Sequence, residues 1–199
     1  MISTKTLLIQ LALFAAVAFA LPANVPAITP MDCQPEAPLL PTTFTGAFSE
    51  RLTINGADMW VEGYYYYSDL VEAVQIDYAL PGAIGSNMVA GGEFVVSQVA
   101  NGEYFCSSSD YPLPFLAPDV LQGFDFLGAS VSPLGELLYA WGQDVFGFSL
   151  VVMTNAETGA LAAEYTDNMV LTWQSFEEGI PDNVFMASCD QTHATKSTV

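Results

Sequence analysis

The sequence predicts an all-β fold, and three observations support this prediction. Short segments place apolar residues at every second position, turn residues recur between these segments, and no stretch sustains the 3.6-residue period of an amphipathic helix. The chain has 199 residues, with 15 glycines and 12 prolines. From the residues alone, such a chain forms either a barrel or a pair of stacked sheets.

The first 20 residues are expected to be a signal peptide rather than part of the fold. Lys5 supplies the positive charge, residues 7–19 the apolar stretch, and Ala18 and Ala20 the small residues before a cleavage point. We therefore expect a secreted, extracellular protein with no transmembrane segment. Proline-rich residues 21–43 predict an extended lead-in, followed by a β domain at 44–190 and a flexible polar tail at 191–199.

The first half of the domain predicts three strands and a hairpin. Strands are expected at 44–54, 58–67 and 70–80, and residues 81–92 at a glycine-rich loop. Residues 93–106 predict a hairpin, because Asn101 and Gly102 suit the positive φ angles of a type I′ turn.

The second half predicts a proline-rich connection and then five strands. Proline within residues 107–118 argues against a strand there, and residues 118–124 suit a single helical turn. The remaining strands are expected at 127–131, 136–141, 146–154, 161–167 and 169–176.

Charge excludes one class of partner. The chain has 22 Asp and Glu against three Lys and Arg, for a net charge of −19. Nucleic acid and anionic membrane surfaces would be repelled, so neither is an expected partner. The excess acid would attract calcium weakly, and it would also keep an apolar β protein soluble; both interpretations stay open.

The side chains needed for catalysis are poorly represented, so no enzyme is expected. His193 is the sole histidine and lies in the polar tail, where it cannot activate a serine or anchor zinc. Glycoside hydrolysis needs only two carboxylates, but strand acids such as Asp58 and Glu62 are typical of a solvated surface.

Several strands are apolar on both faces, which favours either an apolar pocket or cover by a second layer or subunit. Hydrophobic residues make up 52% of the chain. The candidate pocket lining is Trp60, Tyr64, Tyr66, Val74, Ile76, Tyr78, Phe94, Val96, Trp141, Phe148, Leu150 and Val152. A solid β core built from the same residues is the alternative.

An ordered set of segments resembles the ependymin-related proteins. Residues 176–189 (FEEGIPDNVFMASC) resemble the end of these proteins, and upstream the matches are 33–38 (CQPEAP), 44–46 (FTG), 65–74, the hairpin at 93–106 and 139–141 (YAW). The resemblance covers roughly residues 33–190 and keeps one order throughout.

The resemblance implies a fold and a function. It implies two stacked, curved antiparallel sheets that form a half-open barrel, similar in shape to bacterial periplasmic lipoprotein carriers, with an apolar pocket. It also implies a homodimer, calcium binding and a disulfide between Cys106 and Cys189, whereas Cys33 lacks its usual partner in this sequence.

The expected function is therefore non-catalytic binding of a hydrophobic or lipid-like ligand. The alternative is an extracellular structural or adhesive protein that dimerises through apolar sheet faces and associates through calcium.

Overall fold

The structure, a computed structural model, describes residues 21–54, 56–110, 117–145 and 148–185. The residues assigned to the signal peptide and to the polar tail lie outside these ranges, as does Cys189. The strands are β1 (Thr43–Ile54), β2 (Ala57–Ser68), β3 (Ala73–Leu80), β4 (Ala83–Ala90), β5 (Glu93–Ala100), β6 (Glu103–Asp110), β7 (Asp125–Val131), β8 (Leu137–Val145), β9 (Phe148–Asn155), β10 (Leu161–Thr166), β11 (Met169–Trp173) and β12 (Glu177–Glu178).

The all-β prediction is confirmed, but hydrogen bonding joins the strands into one antiparallel sheet where two were predicted. The order across the sheet is β6-β5-β4-β3-β2-β1-β11-β10-β9-β8-β7, and the short β12 also pairs with β1. Each neighbour along β1 to β6 and along β7 to β11 is also the next strand in sequence. The sheet is therefore two meanders that meet where β1 pairs with β11.

The first meander contains one strand that the sequence prediction missed. β4 occupies residues predicted as a glycine-rich loop, and it pairs along its whole length with β3 and β5. The glycines at positions 82, 91 and 92 have positive φ angles and form the turns on either side of it. The predicted hairpin is confirmed, with φ angles of 54° at Asn101 and 81° at Gly102.

Other boundaries also differ from the prediction. β3 begins at Ala73, because Leu70 and Val71 lie in an exposed turn that contains Glu72 at a positive φ. β6 continues to Asp110, since the prolines predicted to end it begin only after that residue. The predicted helical turn is present as a 3₁₀ turn at Val120–Gly123.

One side of the sheet, which we call the core face, carries the main hydrophobic cluster. Register places every second residue of a strand on this face. Its buried members are Leu40, Phe44, Phe48, Val61, Tyr65, Tyr67, Val74, Ile76, Leu121, Phe124, Trp141, Val152, Leu161, Met169, Leu171 and Trp173. Aromatic rings stack at its centre, with ring centroids of Phe44 and Tyr67 4.9 Å apart.

Two segments outside the sheet complete the core face, and we call them the plug: residues 37–40 and 117–124. A backbone hydrogen bond of 2.9 Å from Leu40 to the carbonyl of Pro118 joins them. Leu40, Leu121 and Phe124 are buried in the main cluster. The plug thus supplies the layer that the core face needs to exclude water.

The other side of the sheet, the opposite face, is covered unevenly. At β7 to β10 it carries a second cluster, against which Val25 and Ile28 of the lead-in pack. Thr29 then forms an antiparallel bridge with Ala129 at the edge of β7. At β2 to β6, the chain near its C-terminal end meets this face where the backbone N–H of Phe185 donates to Gln75 Oε1 at 3.1 Å.

Across the described ranges, no helix has both the length and the apolar character needed to span a membrane.

Candidate functional site

An open groove of about 530 Å³ lies on the opposite face across β2 to β6. Its lining residues are Glu62, Gly63, Tyr64, Asp77, Tyr78, Ala79, Ile84, Gly85, Ser86, Ser97, Gln98, Val99 and Tyr104. The volume falls within the range of roughly 300–1,000 Å³ that is usual for small-molecule sites.

One cross-strand row gives the groove an apolar side. Ala79 pairs with Ile84, Ile84 with Val99, and Val99 with Tyr104, so these side chains stand together on the opposite face. Ile84 is 62% exposed and Tyr104 is 55% exposed. Apolar side chains in a contiguous exposed row mark a surface that is suited to a partner or ligand.

The next cross-strand row begins with the aromatic ring of Tyr64, and its other side chains are polar. Tyr64 pairs with Asp77, Asp77 with Ser86, and Ser86 with Ser97. Asp77 Oδ1 accepts a 2.9 Å hydrogen bond from Gln75 Nε2. The Tyr64 ring stacks beside that of Tyr66 with centroids 6.3 Å apart. Burial, and then the charge of Asp77, raises the pKa of Tyr66 above its ordinary value.

Ser86 contributes an unusual polar atom to this row. Its Oγ is shielded from solvent and has no hydrogen-bond partner among the described residues. A buried hydroxyl without a partner is costly, and such groups are often satisfied by a ligand or an ordered water. Ser86 also lines the groove, and a change of its χ1 rotamer would be needed to present this hydroxyl to a bound molecule.

Glycine makes the floor of the groove thin. Gly63 and Gly85 lie in the row between the apolar and polar rows, and their side-chain positions face the core. A Cβ at Gly85 would lie 2.5 Å from the Tyr78 hydroxyl oxygen, so the absence of a side chain there lets the Tyr78 ring cross β4. The phenol of Tyr78 forms a side-chain hydrogen bond with Asn87, a buried residue on the core face.

A second, smaller cavity of about 80 Å³ lies between the plug and the core face. Apart from one carboxylate, Glu164, its walls are apolar or aromatic: Leu40, Phe44, Tyr65, Val120, Leu121, Phe124, Leu150, Val152, Leu161, Leu171 and Trp173. An engineered cavity of about 150 Å³ admits benzene, so this one is too small for an alkyl chain while the plug is in place.

The carboxylate of this cavity, Glu164, has a second carboxylate, Glu50, in the same row of the core face. Trp173 Nε1 donates to Glu164 Oε1 at 3.2 Å. Burial raises the pKa of Glu164 to about 7, although the hydrogen bond from Trp173 opposes the shift. Burial, and to a smaller extent the charge of Glu164, raises the pKa of Glu50 to about 7. Desolvation disfavours the charged form of both acids.

The twelve residues predicted to line a pocket do not line one cavity. Register places Trp60, Tyr64 and Tyr66 on the opposite face and the other nine on the core face. Tyr64 and Tyr78 line the groove, whereas Leu150 and Val152 line the small cavity. Val74, Ile76 and Trp141 are buried in the main cluster. Phe94 and Val96 are partly buried on β5, and Phe148 is 41% exposed.

The groove residues missing from the prediction are mainly those of the missed strand and its neighbours. Ile84 and Ser86 lie on β4, and Val99 and Tyr104 flank the turn of the predicted hairpin. The turn dipeptides Pro81-Gly82, Gly91-Gly92 and Asn101-Gly102 are equally spaced, with Ile84 and Met88 between the first two. This spacing was the sequence signal that could have found β4.

Cysteines and acids were also assigned roles by the sequence. Cys33 is exposed and free. Cys106 lies on β6 opposite Ser97, and its predicted partner Cys189 is outside the described residues. Within the described ranges, no three His, Cys, Asp or Glu side chains come together as a metal-binding group.

Comparison with known proteins identifies a shared fold and no family. No family model matches the chain, and no curated protein matches it. The chain is similar to an uncharacterized conserved protein from Thermus thermophilus, at 10% identity and a TM-score of 0.50, over 71% of this chain and 82% of that one. Two crystal forms of PNGF-II match at TM-scores of 0.35. The PNGF-II matches have 10% and 9% identity and cover 70% of this chain but only 28% and 29% of PNGF-II. Likeness at this level of identity extends to the fold alone.

Proposed function

We propose that this protein is a secreted, non-catalytic binder of a hydrophobic, lipid-like ligand, and that the groove on β2 to β6 is its binding site. The observation that carries the proposal is the row Ala79, Ile84, Val99 and Tyr104, which forms an apolar strip inside a groove of about 530 Å³. An alkyl chain laid along this strip would gain about 0.8 kcal/mol for each CH₂ group that it buries.

The chemistry of the groove supports binding rather than catalysis. The acidic groups among its described lining residues, Glu62 and Asp77, lie on neighbouring rows of an open surface. No cysteine or histidine is among the described residues that line it. Binding would then be a reversible transfer of the ligand from water to the groove.

The wider expectations from the sequence are retained as part of this proposal. We infer that the single sheet curves into a half-open barrel whose two halves act as the two predicted layers. Val74 of β3 and Trp141 of β8 support this inference, because both belong to the main cluster although β2, β1, β11, β10 and β9 lie between their strands. Membership of the ependymin-related proteins, the Cys106–Cys189 disulfide and weak calcium association driven by net charge remain proposals.

A second function, homodimer formation through the same surface, is favoured by the exposed side chains. Tyr64, Ile84 and Tyr104 would be buried if two grooves faced each other. In an adhesive protein of this kind, calcium would screen the acids that the two copies bring together.

Binding can be tested on purified full-length protein by native mass spectrometry and by titration with dodecanol. We expect a dodecanol complex of 1:1 stoichiometry, weakened about tenfold by Ile84→Gln, because the substitution removes apolar contact from the strip. Leu134→Gln is the matched control, since Leu134 is 88% exposed in the turn between β7 and β8.

Three outcomes decide the question. Dodecanol binding that Ile84→Gln weakens and Leu134→Gln spares supports the groove as the site. Failure to bind any alkyl compound contradicts the proposal. A concentration-dependent dimer in analytical ultracentrifugation, abolished by Ile84→Gln in the absence of ligand, would favour the second function instead.

A further inference from the structure

The charged side chains described in the groove are all acidic. Among the described residues that line it, two are carboxylates, Glu62 and Asp77, and none is basic. Arg51 is the only basic residue within the described ranges, and Asp58 holds it at 3.8 Å. The full chain has a net charge of −19. An anionic ligand such as a fatty acid carboxylate would therefore be repelled from the groove.

The carboxylates lie beside the apolar strip, so one molecule can reach both. Glu62 pairs with Ala79, the first residue of the strip. Asp77 is two residues from Ala79 along β3, and so its side chain is on the same face. A ligand whose chain lies over Ile84 and Val99 can thus place its head group beside the two acids.

The surroundings of Asp77 suit a positively charged head group. Tyr64 lies directly across from Asp77 and is 54% exposed, which leaves its ring available to a cation. On the other side, Asp77 pairs with Ser86, whose shielded Oγ has no partner among the described residues. Rotation about χ1 would turn this hydroxyl toward the groove, where its oxygen can accept a hydrogen bond from an ammonium N–H.

We propose that the ligand of the groove is a cationic amphiphile of the long-chain primary ammonium class, and this inference rests on the function proposed above. The alkyl chain lies along Ile84, Val99 and Tyr104, and the ammonium group sits between Tyr64, Asp77 and Ser86, with Glu62 alongside. The head group neutralises two carboxylates that no described basic residue of the groove neutralises.

The test compares four ligands that share a twelve-carbon chain. Dodecylammonium, dodecyltrimethylammonium, dodecanol and dodecanoate are titrated calorimetrically into the full-length protein at pH 7, below their micelle-forming concentrations. We expect dodecylammonium to bind at least about tenfold more tightly than dodecanol and dodecanoate to bind most weakly. The advantage over dodecanol should shrink as the salt concentration rises.

Variants assign the preference to particular side chains. Asp77→Asn should remove most of the advantage of dodecylammonium over dodecanol. Ser86→Ala should weaken dodecylammonium more than dodecyltrimethylammonium, which has no N–H to donate. Glu62→Gln gives a second, independent removal of charge if Asp77→Asn does not fold. Glu157→Gln, on an exposed turn between β9 and β10, removes the same charge away from the groove.

The outcomes separate this inference from the proposed function. If dodecanol binds and the ammonium compounds have no advantage over it, the cationic preference is wrong and hydrophobic binding stands. If none of the four ligands binds, the proposed function is wrong as well. If Glu157→Gln reduces the preference as much as Asp77→Asn, the net charge of the protein is responsible and the assignment to Asp77 and Ser86 is overturned.

Discussion

Glu50 and Glu164 lie in one row across the core face, separated by Leu171 alone. Leu171 pairs with Glu50 through β1 and β11 and with Glu164 through β10 and β11. Within the described ranges, no basic side chain faces either acid, since Arg51 lies next to Glu50 on β1 and points to the opposite face. Two partly buried acids that face no basic side chain among the described residues tie the stability of the core to pH.

The free energy of unfolding should fall as the pH rises from about 4.5 to about 7. Both acids have a pKa of about 7 in the folded protein and an ordinary value of 4.5, so between these values the folded state binds more protons than the unfolded state. Glu164→Gln should raise the free energy of unfolding at pH 8 by about 1–3 kcal/mol, with little effect near pH 4.5. Urea denaturation at both pH values measures this.

Glu157→Gln serves as the control for that experiment, because Glu157 is exposed. Equal effects of Glu164→Gln at pH 4.5 and pH 8 would show that the carboxyl does not titrate as described.

The buried pair Trp141 and Thr154 predicts a cost for losing one hydroxyl. Trp141 Nε1 donates to Thr154 Oγ1 at 3.0 Å, and the two residues are 0% and 1% exposed. Thr154→Val keeps the shape but leaves the indole N–H without its acceptor, which should lower the free energy of unfolding by about 1–3 kcal/mol. Thr172→Val, at an exposed position of β11, should change it by less than about 0.5 kcal/mol. Similar losses for both variants in chemical denaturation would argue against the role of the hydrogen bond.

The contact between Gly85 and Tyr78 predicts that a single methyl group disturbs the floor of the groove. A Cβ at Gly85 would also lie 3.0 Å from the Ser97 carbonyl oxygen, so both the ring and the neighbouring strand must shift. Gly85→Ala should lower the free energy of unfolding by about 1–3 kcal/mol. Gly123→Ala is the control, because its Cβ would have no heavy atom within 4 Å. A melting curve for Gly85→Ala that matches the control would show that the sheet accommodates the methyl group.

The position of the C-terminal segment predicts which cysteines pair. Phe185 contacts Gln75 on the opposite face, and register places Cys106 on that same face, in line with Ser97, Ser86 and Asp77. Cys189 follows Phe185 by four residues, which span at most about 14 Å when extended, close to the three strand spacings from β3 to β6. Cys106→Ser should therefore lower the free energy of unfolding by about 2–5 kcal/mol, whereas Cys33→Ser should have little effect.

Non-reducing peptide mapping tests the pairing directly. A peptide that joins Cys106 to Cys189 is expected, and one that joins Cys33 to Cys106 would refute the assignment.

Much of the strand content was predictable from the sequence, because side-chain alternation is a local signal. Turn residues are local signals too, and they predicted the hairpin at Asn101 and Gly102 and the 3₁₀ turn that follows Pro118. β4 was missed because Gly85, Ser86 and Asn87 have low strand propensity, and pairing on both sides outweighs that propensity.

The candidate site was less predictable than the strands. Alternation places Trp60, Tyr64 and Tyr66 on one face of β2, in agreement with the register, but it does not tell which face meets the core. That choice depends on the plug and on the pairing of β1 with β11, which join residues far apart in sequence. The groove could therefore not be predicted, because the pattern of one strand does not show which residues of other strands lie beside it.

The bridge between Thr29 and Ala129 leaves the two margins of the sheet unlike each other. At the β7 edge, the lead-in pairs with the strand through Thr29. β6, within the described ranges, has a neighbouring strand on one side only. Among the described strands, β6 is then the outer strand with no pairing on its free side, so backbone pairing between molecules would join β6 of one copy to β6 of another. Such pairing would occupy the free β6 edge of both copies. It would therefore stop at two molecules and would not extend into a fibre.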